Sequence, residues 1–82
     1  MKDRITNQHL TVLIDPEQGP FITLNDYDQF DELDDLLTEK YEIEYLVRFL
    51  KDLNGNEKQF QMFFGLHADP RAIQIILNEA TP

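Results

Sequence analysis

Apolar residues change their period along this 82-residue chain, and the change limits the fold more than any other feature. Over residues 8–15, Leu10, Val12 and Ile14 fall on one face of an alternating, β-branched run, which predicts a strand. Pro16 and Pro20 bracket Glu17-Gln18-Gly19, a connection of hairpin length, and Phe21-Ile22-Thr23-Leu24 reads as the return strand. At Asn25-Asp26 the spacing turns helical. Asp26 followed by Gln29 fits a capping box, in which the carboxylate accepts an early helical N–H and Gln29 reaches back to the cap. Tyr27, Phe30, Leu33 and Leu37 then gather on one side, with Asp28, Asp31, Glu32, Asp35 and Glu39 opposite.

Residues 41–52 fit two periods. Tyr41, Tyr45, Phe49 and Leu53 are spaced for a helix, whereas Tyr41, Ile43, Tyr45, Val47 and Phe49 alternate as in a strand. The strand reading gains support from Asn54-Gly55, which tolerates the positive φ angles of a type I′ hairpin turn, and from the second alternating set Phe60, Met62, Phe64 and Leu66. Asp69-Pro70 supplies an N-cap with proline at the first helical position, and Ala72, Ile73, Ile76, Leu77 and Ala80 form an apolar stripe behind it. Ile73-Gln74-Ile75-Ile76 is β-branched enough to leave a terminal strand open.

The element order is ββαββα, and the fold class α+β. One four-stranded, mainly antiparallel sheet with two helices packed on one face is the most economical arrangement. Residues 1–82 make a single small acidic domain, since a chain this short holds one core. That core is apolar or completed by a partner, because no cysteine is present to supply a disulfide or a thiolate metal site. The strand positions facing away from the helices carry Leu13, Leu46, Leu50 and Phe63. So much apolar surface calls for cover, either from the rest of the chain or from a second copy or another protein, so a homodimer is one expectation.

Charge is distributed unevenly. Between Asp26 and Glu44 lie nine of the sixteen carboxylates and one base, Lys40, so this stretch holds −8 of the formal −9. Carboxylates four apart on a helix repel by about 0.3 kcal/mol per pair. Acids in the first turn suit the positive end of the helix dipole, and Lys40 suits the other end. An acidic surface of this kind attracts cations or basic partners or keeps the protein dispersed, and it disfavours direct contact with nucleic acid or anionic membrane. With no long apolar run and no signal-peptide pattern at the N-terminus, the cytoplasm is the expected location.

Motifs of catalysis are not evident. The chain has three glycines and no serine, and it contains no phosphate loop or nucleophile elbow, so an enzyme is not expected and neither is a cofactor. Asp26-Tyr27-Asp28 and the acids at 31–35 lack the glycine and loop of an EF-hand, and a straight helix spreads its carboxylates instead of wrapping them around an ion. His9 and His67, the latter near Asp69, have no thiolate or third ligand in metal spacing. The aromatics Tyr41, Tyr45, Phe49, Phe60, Phe63 and Phe64 are flanked by Glu42, Glu44, Gln59 and Gln61, so a core role fits them better than base stacking.

Two functional expectations follow. In the first, the acidic face formed by Asp28, Asp31, Glu32, Asp35, Glu39, Glu42 and Glu44 occupies a basic site on a partner protein. A nucleic-acid-binding enzyme is one such partner, and an immunity protein or a phage-type antagonist works in this way. In the second, the chain is a structural or assembly subunit joined through the apolar outer face at Leu13, Leu46, Leu50 and Phe63.

Overall fold

The computed structural model describes residues 1–55 and 57–80. Four strands, β1 (Leu13–Asp15), β2 (Gly19–Leu24), β3 (Leu46–Lys51) and β4 (Glu57–Phe63), form one fully antiparallel sheet in the order β1-β2-β4-β3. Helix α1 (Tyr27–Asp35) runs on into a π-helical turn at Leu36–Lys40, and α2 (Pro70–Glu79) ends the described chain. The ββαββα order and the antiparallel sheet agree with the periods in the sequence.

The register sorts the side chains by face. Ile22 lies opposite Met62 and Met62 opposite Val47, while Leu24, Phe60 and Phe49 form the neighbouring row. Of these rows Ile22, Met62, Leu24 and Phe60 join Phe30, Leu33 and Leu37 from the first helical segment and Ile73 and Leu77 from α2 in one buried cluster, with Val47 packed against it and Phe49 left 45% exposed at the edge strand. Phe60 is its centre, with Phe30 stacked on it at 5.1 Å and Phe49 meeting it edge-on at 5.6 Å. Both helical segments therefore cover the same face, and burying each large side chain contributes about 2 kcal/mol.

Several boundaries differ from expectation, each for a physical reason. Only Leu13–Asp15 of the expected strand 8–15 joins the sheet. Upstream, Gln74 of α2 takes the place of a strand partner, accepting from the Val12 N–H at 2.8 Å and donating to the Leu10 carbonyl at 3.1 Å. Leu10 remains buried, but Ile14 is exposed. Likewise β3 starts at Leu46, because Glu42 adopts a left-handed φ of 54° and the Ile43 N–H turns back to the Leu37 carbonyl at 2.9 Å. The Asn54-Gly55 turn is not type I′, since only Gly55 has positive φ. A bulge between Leu50 and Lys51 shifts the register there, and the Asp52 carbonyl accepts from the Gly55 N–H.

Asp26 caps α1 as expected, accepting from the Gln29 N–H at 3.0 Å. The other half of the capping box is replaced. The fully buried Gln29 amide donates to the Lys2 carbonyl at 2.6 Å and accepts from the Arg4 N–H at 2.9 Å, fastening the N-terminal segment to the helix. Next to it, buried Asp3 accepts from the N–H groups of Ile5, Thr6 and Asn25 and from the Asn25 side-chain amide, at 2.9–3.0 Å. Burial alone pushes the Asp3 carboxyl up, but the hydrogen bonds from Thr6, Ile5 and Asn25 outweigh it and hold the group below the ordinary aspartate range. The α2 start matches its sequence signal, with the Asp69 carboxylate accepting from the Arg71 N–H at 2.9 Å and Pro70 in the first turn.

Candidate functional site

The acidic surface is built on a rigid element. Asp28, Asp31, Glu32, Asp35 and Glu39 are all exposed along α1 and the π turn, and Glu42 and Glu44 are exposed on the connection that follows. The apolar side that holds the helix down is Phe30, Leu33 and Leu37, as the periodicity predicts, whereas Tyr27 is 57% exposed and meets Phe60 in a T-shaped contact at 5.7 Å. Glu32 differs from the other acids. Arg4 reaches it with a close charged hydrogen bond and lies 3.8 Å from Asp26, and the bond to Glu32 raises the affinity of the guanidinium for its proton. Neither pair involves Asp28, Asp31, Asp35 or Glu39, which face solvent without a basic neighbour in salt-bridge range among the described residues.

Asp34 is the acid that sequence periodicity passed over. It sits four residues after Phe30 and three before Leu37, and this spacing places it at the margin of the apolar side. Half-buried, it accepts a close hydrogen bond from the Tyr45 hydroxyl, which also approaches the Thr38 hydroxyl at 3.3 Å. Burial pushes the Asp34 carboxyl above the ordinary range, and the neighbouring charges of Asp35 and Asp31 push it the same way. Carboxylate oxygens of Asp31, Asp34 and Asp35 come within 4.8 Å of one another, closer than a straight-helix reading of the sequence implied.

On the outer sheet face the expected apolar set contracts to one row. Leu13 lies opposite Phe21, Phe21 opposite Phe63, and Phe63 opposite Leu46, a line across all four strands. Phe63 was expected to face outward and open. It does face outward, but only 8% of it is exposed, because the Phe21 ring stacks on it at 5.1 Å. Leu13 and Leu46 remain open at 51% and 78% exposure, while Leu50 is half-buried opposite Gln59. The adjoining row is polar, made of Thr23, Gln61 and Arg48. Phe21 was absent from the sequence-based set, although its parity opposite to Ile22 and Leu24 was the signal that places it there.

These two surfaces converge. A groove of about 840 Å³ opens where β3 begins and β4 ends, and its walls include Asp34, Thr38 and Tyr45 together with Glu44, Leu46 and Phe63. Gln18 and Gly65 also line it. Carboxylates from the acidic tract and apolar side chains from the outer row thus line a single depression.

His9 and His67 are exposed, and neither belongs to a cluster of metal-ligating side chains among the described residues. No helix among the described residues is long and apolar enough to cross a membrane. Compared with known protein families, with curated proteins and with solved structures, the chain matches none.

Proposed function

We propose that this chain is a non-enzymatic interaction protein that presents the carboxylates of α1 and its π turn to a basic site on another protein. One observation carries this reading. Asp28, Asp31, Asp35 and Glu39 are exposed on an ordered helix with no ion-pairing base among the described residues, while Arg4 neutralises only Glu32 and Asp26 at its margin. From Asp28 to Glu39 the row extends about 16 Å at the helical rise per residue. In sign and length it resembles a run of phosphates, so a surface that holds nucleic acid with Lys and Arg accepts it. Inhibition of a nucleic-acid-binding enzyme, in the manner of an immunity protein or a phage-type antagonist, is the setting that suits such a surface.

The test reverses Asp28, Asp31 and Asp35 to lysine together. Glu32 is left unchanged because its bond to Arg4 belongs to the fold. Affinity capture from the native host with the unmodified chain is expected to retain a basic protein that high salt releases, and the triple variant is expected to lose it. Equal retention by a folded triple variant would end this proposal.

A second reading rests on the open ends of the outer row, where Leu13 and Leu46 are exposed beside Phe21 and Phe63. In it the chain is an assembly subunit whose apolar row pairs with a second copy or another subunit. Light scattering is expected to give an oligomer that persists at high salt and dissociates in Leu46→Asp, because apolar association does not weaken with ionic strength. A monomer at all salt concentrations removes the homo-oligomeric version. Leu46 is the better probe than Phe63, whose burial under Phe21 ties it to the fold.

A further inference from the structure

The groove at the start of β3 asks more of an occupant than positive charge. Its lining combines apolar side chains, among them Tyr45, Leu46 and Phe63, with the acidic residues Asp34 and Glu44. Oligolysine pairs with the acids and leaves the apolar lining wet, whereas an uncharged apolar segment must approach a chain of net charge −9 without electrostatic gain. A segment bearing both features satisfies the whole groove. We infer that the groove is the anchor point of a basic partner segment, in which one large apolar side chain seats against Leu46 and Phe63 while flanking Lys or Arg residues pair with Asp34 and Glu44. This rests on the acidic-face reading and deepens it by naming the chemistry of the partner's contact: an aromatic or leucine anchor set between basic residues.

The geometry supports this beyond complementarity of charge. Leu46 is 78% exposed in the groove lining beside a nearly buried Phe63, so an incoming side chain covers Leu46 and extends an apolar surface that already spans the sheet. Asp34 is held toward the groove by the Tyr45 hydroxyl, and its charge is crowded by Asp31 and Asp35, so a cation seated there relieves repulsion already present in the free chain. The carboxylates along α1 draw a basic segment in from a distance, and the groove fixes its position.

Two peptides of equal charge separate the anchor from the attraction. One places four lysines around a central phenylalanine, and the other has glycine at the centre. By fluorescence anisotropy at low salt, the phenylalanine peptide is expected to bind the native chain about tenfold more tightly, the ratio that burial of one aromatic side chain supplies. Leu46→Asp is expected to abolish the preference, and the Asp28, Asp31 and Asp35 reversal to weaken both peptides while keeping their ratio. Equal binding of the two peptides to the native chain overturns the anchor and leaves the acidic-face reading standing. A preference that survives Leu46→Asp also overturns it, since the apolar contact then lies elsewhere. Binding of neither peptide overturns both readings.

Discussion

Replacing Gly19 by alanine is expected to cost about 3 kcal/mol, a large share of the roughly 5–10 kcal/mol that holds a domain of this size together. Gly19 follows the Pro16-led turn of the β1–β2 hairpin with φ at +88°, a region an L side chain occupies only under strain. A Cβ there meets the Gly65 carbonyl oxygen at 2.7 Å and the Leu66 Cα at 2.8 Å. These are backbone atoms, so relief requires the chain after β4 to move and to stretch the 3.0 Å bond from the Phe64 N–H to the Pro20 carbonyl. Gly55 is the internal control, with φ at +79° but nothing within 4 Å of its Cβ position. Its alanine variant carries only the conformational term, about 1 kcal/mol. Urea unfolding of both variants decides the matter, and equal losses would mean that the close approach at Gly19 is not there.

Loss of the Asp3 carboxylate is the second large effect. Asp3→Ala removes the acceptor for four part-buried N–H groups at once, for an expected loss of about 3 kcal/mol at neutral pH. The sign of the pH dependence follows from the lowered carboxyl. A group whose folded pKa lies below its unfolded value contributes stability in full above the unfolded value, and that contribution disappears as pH falls through the folded one. The gap between native and variant stability is therefore expected to be widest at neutral pH and to narrow below about pH 4, where free aspartate protonates. Asp34 works in the opposite direction, because its raised carboxyl opposes folding once ionised. Urea titrations at a series of pH values on the native chain and Asp3→Ala measure the gap directly. A gap independent of pH would show that the carboxylate contributes as volume and not as a charged acceptor.

Periodicity carried most of the fold. The alternation of Phe60, Met62 and Phe64 and the helical spacing of Phe30, Leu33 and Leu37 placed the core on the correct faces, because each of these side chains is buried, whereas Phe49 and Leu66 of the same alternating sets stay 45% and 61% exposed at the edge strand and beyond the end of β4. What sequence spacing could not reach were bonds made across long separations. Gln74 satisfies the backbone of Leu10 and Val12 from more than sixty residues away, which frees that segment from the sheet and shortens β1 to three residues. Gln29 abandons its local capping partner for Lys2 and Arg4 on the N-terminal segment. The exposed carboxylates of α1 were legible because their surroundings are set by the helix itself. Asp34 and the groove were not, since Tyr45, Leu46 and Phe63 reach them only through the pairing of β3 with β4.

The buried amide of Gln29 bears on how the carboxylates are aimed. Apolar contacts between a helix and a sheet are non-directional, and contacts of that kind resist separation more than they resist a small turn of the helix about its axis or a slide along it. Two directional bonds, one donated and one accepted by the same side chain, oppose both motions, since either one breaks their alignment with Lys2 and Arg4. The row from Asp28 to Glu39 thus has a fixed bearing and a fixed origin relative to the N-terminal segment, like the graduations of a ruler clamped at one end.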